Sequence, residues 1–113
     1  MKEIKAIIQP FMLSKVAAAL KEIEGFPGMT VTKVQGFGRQ RAQGAPHRIV
    51  EDLIDYVPKV KVEIIVNDDL LDKVVKIILE NAHTGNKGDG KILIYEVKEA
   101  IRIMTGEKGE AAV

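Results

Sequence analysis

The chain has no cysteine, so neither a disulfide framework nor thiolate chemistry enters its account, and a reducing compartment suits it. It also has almost no net charge: 17 Lys and Arg against 16 Asp and Glu leave +1, which gives no electrostatic case for nucleic acid or an anionic membrane as the main partner. No apolar run approaches the roughly 20 residues needed to span a bilayer. The opening Met1-Lys2-Glu3-Ile4-Lys5 is too charged for a signal peptide. These absences predict a soluble cytoplasmic protein without direct membrane insertion. Metal-ligand spacing is missing as well. His47 and His83 stand apart, with no cysteine or second histidine at ligand spacing, and both read as solvated or structural residues.

What is present is a legible, repeated periodicity. At 113 residues the chain forms one domain, 1–113, able to bury roughly two thirds of its unfolded surface. Ile4, Ala6 and Ile8 share one face of a first strand, and after Pro10 a helical stripe follows through Leu13, Val16, Ala17, Leu20 and Ile23. Met29 to Gly36 predicts a second strand, and Val60, Val62, Ile64 and Val66 mark a third. Asn67-Asp68-Asp69 offers a cap and favourable charge to a second helix carrying Leu71, Val74, Val75 and Ile78, before a last strand from Ile92 to Val97. The order strand, helix, strand, strand, helix, strand predicts an α+β, ferredoxin-like βαββαβ sandwich. Its helix-free face is expected to carry Ile7, Ile65 and one of two apolar sets, Leu93 with Tyr95 and Val97 or Ile92 with Ile94. Such a patch predicts a homo-oligomer.

Two segments stand outside this pattern. The connection 37–57, between strands two and three, is longer than loops in compact domains usually are. Its composition predicts a mobile arm whose ordering depends on a ligand and which then meets a partner. The second is Thr84-Gly85-Asn86-Lys87-Gly88-Asp89-Gly90-Lys91. Glycines free of side chains let successive N–H groups converge on an anion, and lysines add counter-charge. Gly85 to Lys91 satisfies the start of a Walker-type loop, but Ile92 replaces its Ser or Thr, and the context is helix to strand rather than strand to helix. From these features alone it is either an anion-binding loop of another design or a helix-to-strand turn.

Over essentially its full length the sequence resembles the P-II family of nitrogen-regulatory signal-transduction proteins. The resemblance is carried by Gly28-Met29-Thr30-Val31-Thr32, Gly36-Phe37-Gly38-Arg39-Gln40, Pro58-Lys59-Val60-Lys61-Val62-Glu63, the Thr84 to Lys91 stretch, and Ile101-Arg102-Ile103 with Thr105-Gly106-Glu107. It implies a homotrimer that binds ATP or ADP between subunits and, beside Mg²⁺-ATP, 2-oxoglutarate. It also resolves the glycine stretch, 82–91, in favour of phosphate binding. By the same resemblance, Gly88, Asp89, Gly90 and Lys91 form the phosphate side, with Arg39 and, from a neighbouring subunit's segment 102–113, Arg102 as further cationic contacts, and Gly38 belongs to the nucleotide site. Ile7, Thr30, Gly36, Glu63 and Ile65 surround adenine and ribose. Gln40 joins the Mg²⁺ shell that bridges ATP and 2-oxoglutarate, and Lys59 pairs with the distal carboxylate of 2-oxoglutarate. The arm 37–57, with Arg41, Gly44, His47, Arg48 and Asp52, engages an ammonium channel, another transporter or a metabolic enzyme, which implies recruitment to the membrane when the partner is a transporter.

Departures from the family pattern shape the expectation. Asp52 stands where many members carry a modifiable tyrosine, and Val50 where a phosphorylated serine occurs, so regulation is expected by ligand alone. Met104 replaces the second arginine of the Ile101-Arg102-Ile103 segment. A cation lost opposite a polyphosphate costs about 1 to 3 kcal/mol, which shifts preference toward ADP or AMP. Arg48 aligns with a channel-plugging arginine, but Arg41 to His47 lacks the usual tip pattern, which keeps metal-efflux and bicarbonate transporters as alternative partners. The leading reading is a non-enzymatic sensor. The rival is a small phosphatase using Asp89, for which the sequence offers no acid partner.

Overall fold

Alternation in β1, Lys2–Ile8, turns Ile4, Ala6 and Ile8 to one side, and in the computed structural model all three are buried. The structure describes residues 1–37 and 55–113. A 3₁₀ turn at Pro10–Met12 leads into α1, Leu13–Lys21. Then come β2, Thr30–Gly36, β3, Val57–Val66, α2, Asp68–Ala82, and β4, Gly90–Glu96. The four strands form one antiparallel sheet in the order β2-β3-β1-β4. This is the expected ferredoxin-like plan, with strand limits moved by a few residues: β3 begins at Val57 rather than Val60, and β4 spans Gly90–Glu96 rather than 92–97. Pro58 is tolerated in β3 because it lies at the strand's start.

Both helices cover the same sheet face. Val16 and Leu20 of α1, Ile23 just beyond it, and Val74, Ile78 and Ala82 of α2 meet Ile4, Ala6, Ile8, Val60, Val62, Ile64 and Val66 in one core. Each fully buried isoleucine or leucine contributes about 1.5–3 kcal/mol. The N-terminus of α2 departs from the expected cap. Asn67 has the extended backbone of a cap residue but makes no side-chain cap bond. Its amide turns instead toward the Glu110 carbonyl at 3.5 Å. The acidic first turn does find cations: Asp68 accepts from the Met1 amine at 3.1 Å and from Lys2 at 3.2 Å.

The register decides the other face. Glu3 opposes Ile65 and Tyr95, Lys5 opposes Glu63 and Leu93, and Ile7 opposes Lys61 and Lys91. Of the two apolar sets, Leu93 and Tyr95 therefore point away from the helices. Ile92 packs against the core, and Ile94 shares its side at the sheet's edge, about half exposed. Lys5 lies over the Tyr95 ring, 4.9 Å from its centroid, a cation–π contact.

Candidate functional site

Antiparallel pairing brings several chain segments to one end of the sheet. There β1 runs out into Gln9, β2 into Gly36 and Phe37, and β3 and β4 begin, since Ile8 pairs with both Val60 and Gly90 and Gly36 pairs with Val57. The C-terminus of α2 and the connection 83–89 arrive at the same end. The base of the long connection is closed by an edge-to-face contact between Phe37 and Tyr56, with ring centroids 5.7 Å apart and an interplanar angle of 69°.

Asp89 organises the glycine turn from inside. Its carboxylate accepts from the Thr84 backbone at 2.7 Å, from the Gly85 backbone at 3.0 Å and from the Thr84 hydroxyl. The Thr84 hydroxyl oxygen in turn accepts from Asn86 N–H at 3.1 Å. These donors hold the Asp89 pKa below its ordinary value, the Thr84 hydroxyl contributing most, then the Thr84 N–H, with partial burial opposing them. The backbone path needs glycine at two points. Gly90 has φ +106, and a Cβ there would stand 1.7 Å from the Ile7 carbonyl oxygen. Gly88 has φ +91, and a Cβ would meet Gln9 Nε2 at 3.2 Å and Lys59 Nζ at 3.4 Å. The Gly88 carbonyl accepts from both of those donors, from Gln9 at 2.8 Å and from the Lys59 ammonium.

Of the residues expected in the site, the structure gathers Ile7, Gly36, Lys59, Gly88, Asp89, Gly90 and Lys91 at this end. Thr30, Glu63 and Ile65 lie further along the helix-free face. Thr30 pairs with Glu63, and Lys61 reaches Glu63 at 3.6 Å. Arg102 is at the opposite end of the sheet. There Val97 bonds Met1, and the Arg102 guanidinium reaches the Ala111 carbonyl at 3.3 Å and Glu107 at 3.7 Å. Gly38, Arg39, Gln40, Arg41, Gly44, His47, Arg48 and Asp52 lie outside the described residues, as does most of the connection 37–57. Among the described residues no cluster of His, Asp or Glu could hold a metal ion by itself, and no helix is long and apolar enough to cross a membrane.

Sequence reasoning missed Gln9 and the Thr84–Asp89 latch. Gln9 follows the last residue of β1, and only the register shows that it comes level with Lys59. The hydroxyl of Thr84 and the carboxylate of Asp89 were in plain view five residues apart, but nothing in their spacing says that the turn folds back on itself. Chemically, the end of the sheet suits an anion. Gly88 and Gly90 leave the backbone bare, and Lys59, Lys87 and Lys91 bring positive charge near it.

A four-stranded antiparallel sheet with two helices on one face and a glycine turn flanked by lysines at its end define a small ferredoxin-like domain. The family profile described as Nitrogen regulatory protein P-II matches residues 1–107. The Nitrogen regulatory protein P-II of Haemophilus influenzae is 49% identical over 113 residues, covering 100% of both chains. Nitrogen regulatory protein P-II 1 of Escherichia coli is 50% identical with the same coverage. The crystal structure of Arabidopsis thaliana PII bound to citrate superposes with a TM-score of 0.81 at 40% identity, covering 99% of this chain and 91% of that one. The chain belongs to the P-II family of nitrogen regulatory signal-transduction proteins.

Proposed function

We propose that this protein binds an adenine nucleotide, ATP or ADP, at the end of the sheet where β4 begins, and that the nucleotide's state governs how segment 37–57 engages a transporter or enzyme of nitrogen metabolism. The observation that carries this reading is the convergence there of the Gly88–Gly90 turn, Lys59, Lys91 and both ends of the long connection. A ligand bound at that point touches the base of the connection, and it shifts the connection's conformations by the difference in its affinity for them. Gly88 and Gly90 would admit phosphate oxygens to the backbone, Lys91 would balance their charge, and Ile7 would offer apolar wall. Gln40 would join Mg²⁺ bound to ATP, and Lys59 would take a carboxylate of 2-oxoglutarate.

A homotrimer is part of the proposal, and trimers are the known assembly of the family. Arg102 stands at the far end of its own sheet, so it can reach a phosphate at the Gly88 turn only of a neighbouring subunit. The regulatory rather than enzymatic reading draws support from Asp89, whose carboxylate is engaged by Thr84 and Gly85 and is a poor nucleophile in that state. Calorimetric titration with ATP, ADP and AMP in Mg²⁺, with and without 2-oxoglutarate, tests the proposal. Binding of 2-oxoglutarate only with ATP is the expected result, and absence of any nucleotide binding overturns it. A second reading rests on Met104, which leaves the Arg102 segment one cation short. In it, ADP or AMP is preferred, and the partner is a metal-efflux or bicarbonate transporter.

A further inference from the structure

Two donors of different character share the Gly88 carbonyl. One is the neutral amide of Gln9 at 2.8 Å, from the end of β1, and the other is the ammonium of Lys59, from the start of β3. A carbonyl oxygen has two lone pairs, so both are occupied. The two donors differ in what an incoming anion does to them. An ammonium is drawn strongly to an anionic oxygen, where its hydrogen bond becomes charge-assisted on both sides, whereas a neutral amide gains much less by leaving a carbonyl. If Lys59 were the sole partner, its capture by a ligand would strip the Gly88 carbonyl of its protein hydrogen bonds at the centre of the turn. At this exposed carbonyl water can take the vacated place, so what counts against ligand binding is the net rather than the gross worth of one hydrogen bond.

We propose that Gln9 is a positioning residue that keeps the Gly88 carbonyl bonded while the Lys59 ammonium moves to an anionic oxygen of a bound ligand, so that the Gly88–Gly90 turn holds its shape through the exchange. The inference rests on the ligand reading above and adds a residue to it. The anionic oxygen belongs either to a carboxylate of a small dicarboxylate or to a nucleotide phosphate, and the two sources are separable. Space at the site fits the role. A Cβ on Gly88 would press on both donors at 3.2 and 3.4 Å, so the absence of a side chain at 88 lets the two donors meet at one carbonyl.

The test is a double-mutant cycle read by calorimetry on the full chain: wild type, Gln9→Ala, Lys59→Ala and the double variant. Each is titrated with ATP and Mg²⁺, and then with 2-oxoglutarate at saturating ATP. In the presence of Lys59, Gln9→Ala is expected to weaken the ligand that captures the ammonium by about three- to tenfold, the net worth of one hydrogen bond to the turn. The arm that weakens identifies the source, 2-oxoglutarate for a carboxylate and ATP for a phosphate. In the Lys59→Ala background nothing is transferred, and Gln9→Ala is expected to change affinity less than twofold. Amide hydrogen exchange across residues 84–90 gives a readout that does not depend on measurable binding by Lys59→Ala. Gln9→Ala should leave protection unchanged in the free protein and lower it in the liganded one. An unaltered affinity in Gln9→Ala, an equal loss in both backgrounds, or an equal loss of protection with and without ligand overturns the positioning role while leaving the ligand reading intact. Failure of wild type to bind either ligand overturns both.

Discussion

A single methyl group at residue 90 would collide with the Ile7 carbonyl at 1.7 Å, so Gly90 is fixed by contact as well as by its positive φ. Gly90→Ala is expected to lower stability by about 3 kcal/mol or more, from backbone strain and displacement of the β1–β4 ladder. Chemical denaturation measures it, and a loss under about 1 kcal/mol would contradict the packing described. Asp89 contributes in a pH-dependent way. Its pKa is lowered in the folded protein, so its contribution is present above the ordinary carboxylate range and is lost as pH falls through the lowered value. On acidification, protection of the Thr84 and Gly85 amides should therefore fall, and Asp89→Asn should show weakened protection already at neutral pH; NMR-detected exchange follows both. Residue 104 tests the nucleotide reading. Met104→Arg is expected to tighten ATP binding by about 5- to 150-fold, with a smaller gain for AMP, and equal gains for both would detach residue 104 from the outer phosphates.

At the scale of elements, legibility followed periodicity. The alternation in Lys2–Ile8 and Val60 to Val66 and the stripe Val74, Ile78 located β1, β3 and α2, because a one-sided core imposes period 2 on strands and 3.6 on helices. Strand ends were less legible, since Val57 and Gly90 join the sheet through pairing with Gly36 and Ile8 and not through their own apolar character. Asn67 illustrates a related limit. A cap residue was predictable at that position, but its amide bonds the Glu110 carbonyl, a partner 43 residues away that no local rule supplies. The β1–β3 pairing at the sheet's centre should carry much of the stability. Ile64 in β3 is 1% exposed, and Ile64→Ala is expected to cost about 2–5 kcal/mol, with a parallel fall in denaturation midpoint and unchanged slope.

For the whole molecule the decisive feature is the polarity of the sheet. One end collects the glycine turn, Lys59 and the roots of the long connection, and the other collects the termini, Arg102 and the exposed Ile103 and Met104, which are 100% and 93% accessible. Between them the helix-free face carries Leu93 and Tyr95, each about two-fifths exposed, over an area that a single copy leaves to water. Leu93→Asp puts a charge on that face and is expected to shift the protein from trimer to monomer in sedimentation velocity, with nucleotide affinity falling in step. Retention of the trimer would place the contact surface elsewhere.

The sequence by itself determined the βαββαβ order, the core residues and the kinship with the P-II family, because alternation, glycine spacing and whole motifs are local properties of a chain. It also named most of the described residues that meet at the sheet's end. Only the tertiary structure decided that Lys59 and Gln9 share the Gly88 carbonyl, that Asp89 turns inward to Thr84, and that Arg102 lies at the far end of its own sheet. Those relations depend on strand register and on a turn folding back on itself, and both are fixed by contacts between residues distant in sequence or by backbone geometry that composition does not record.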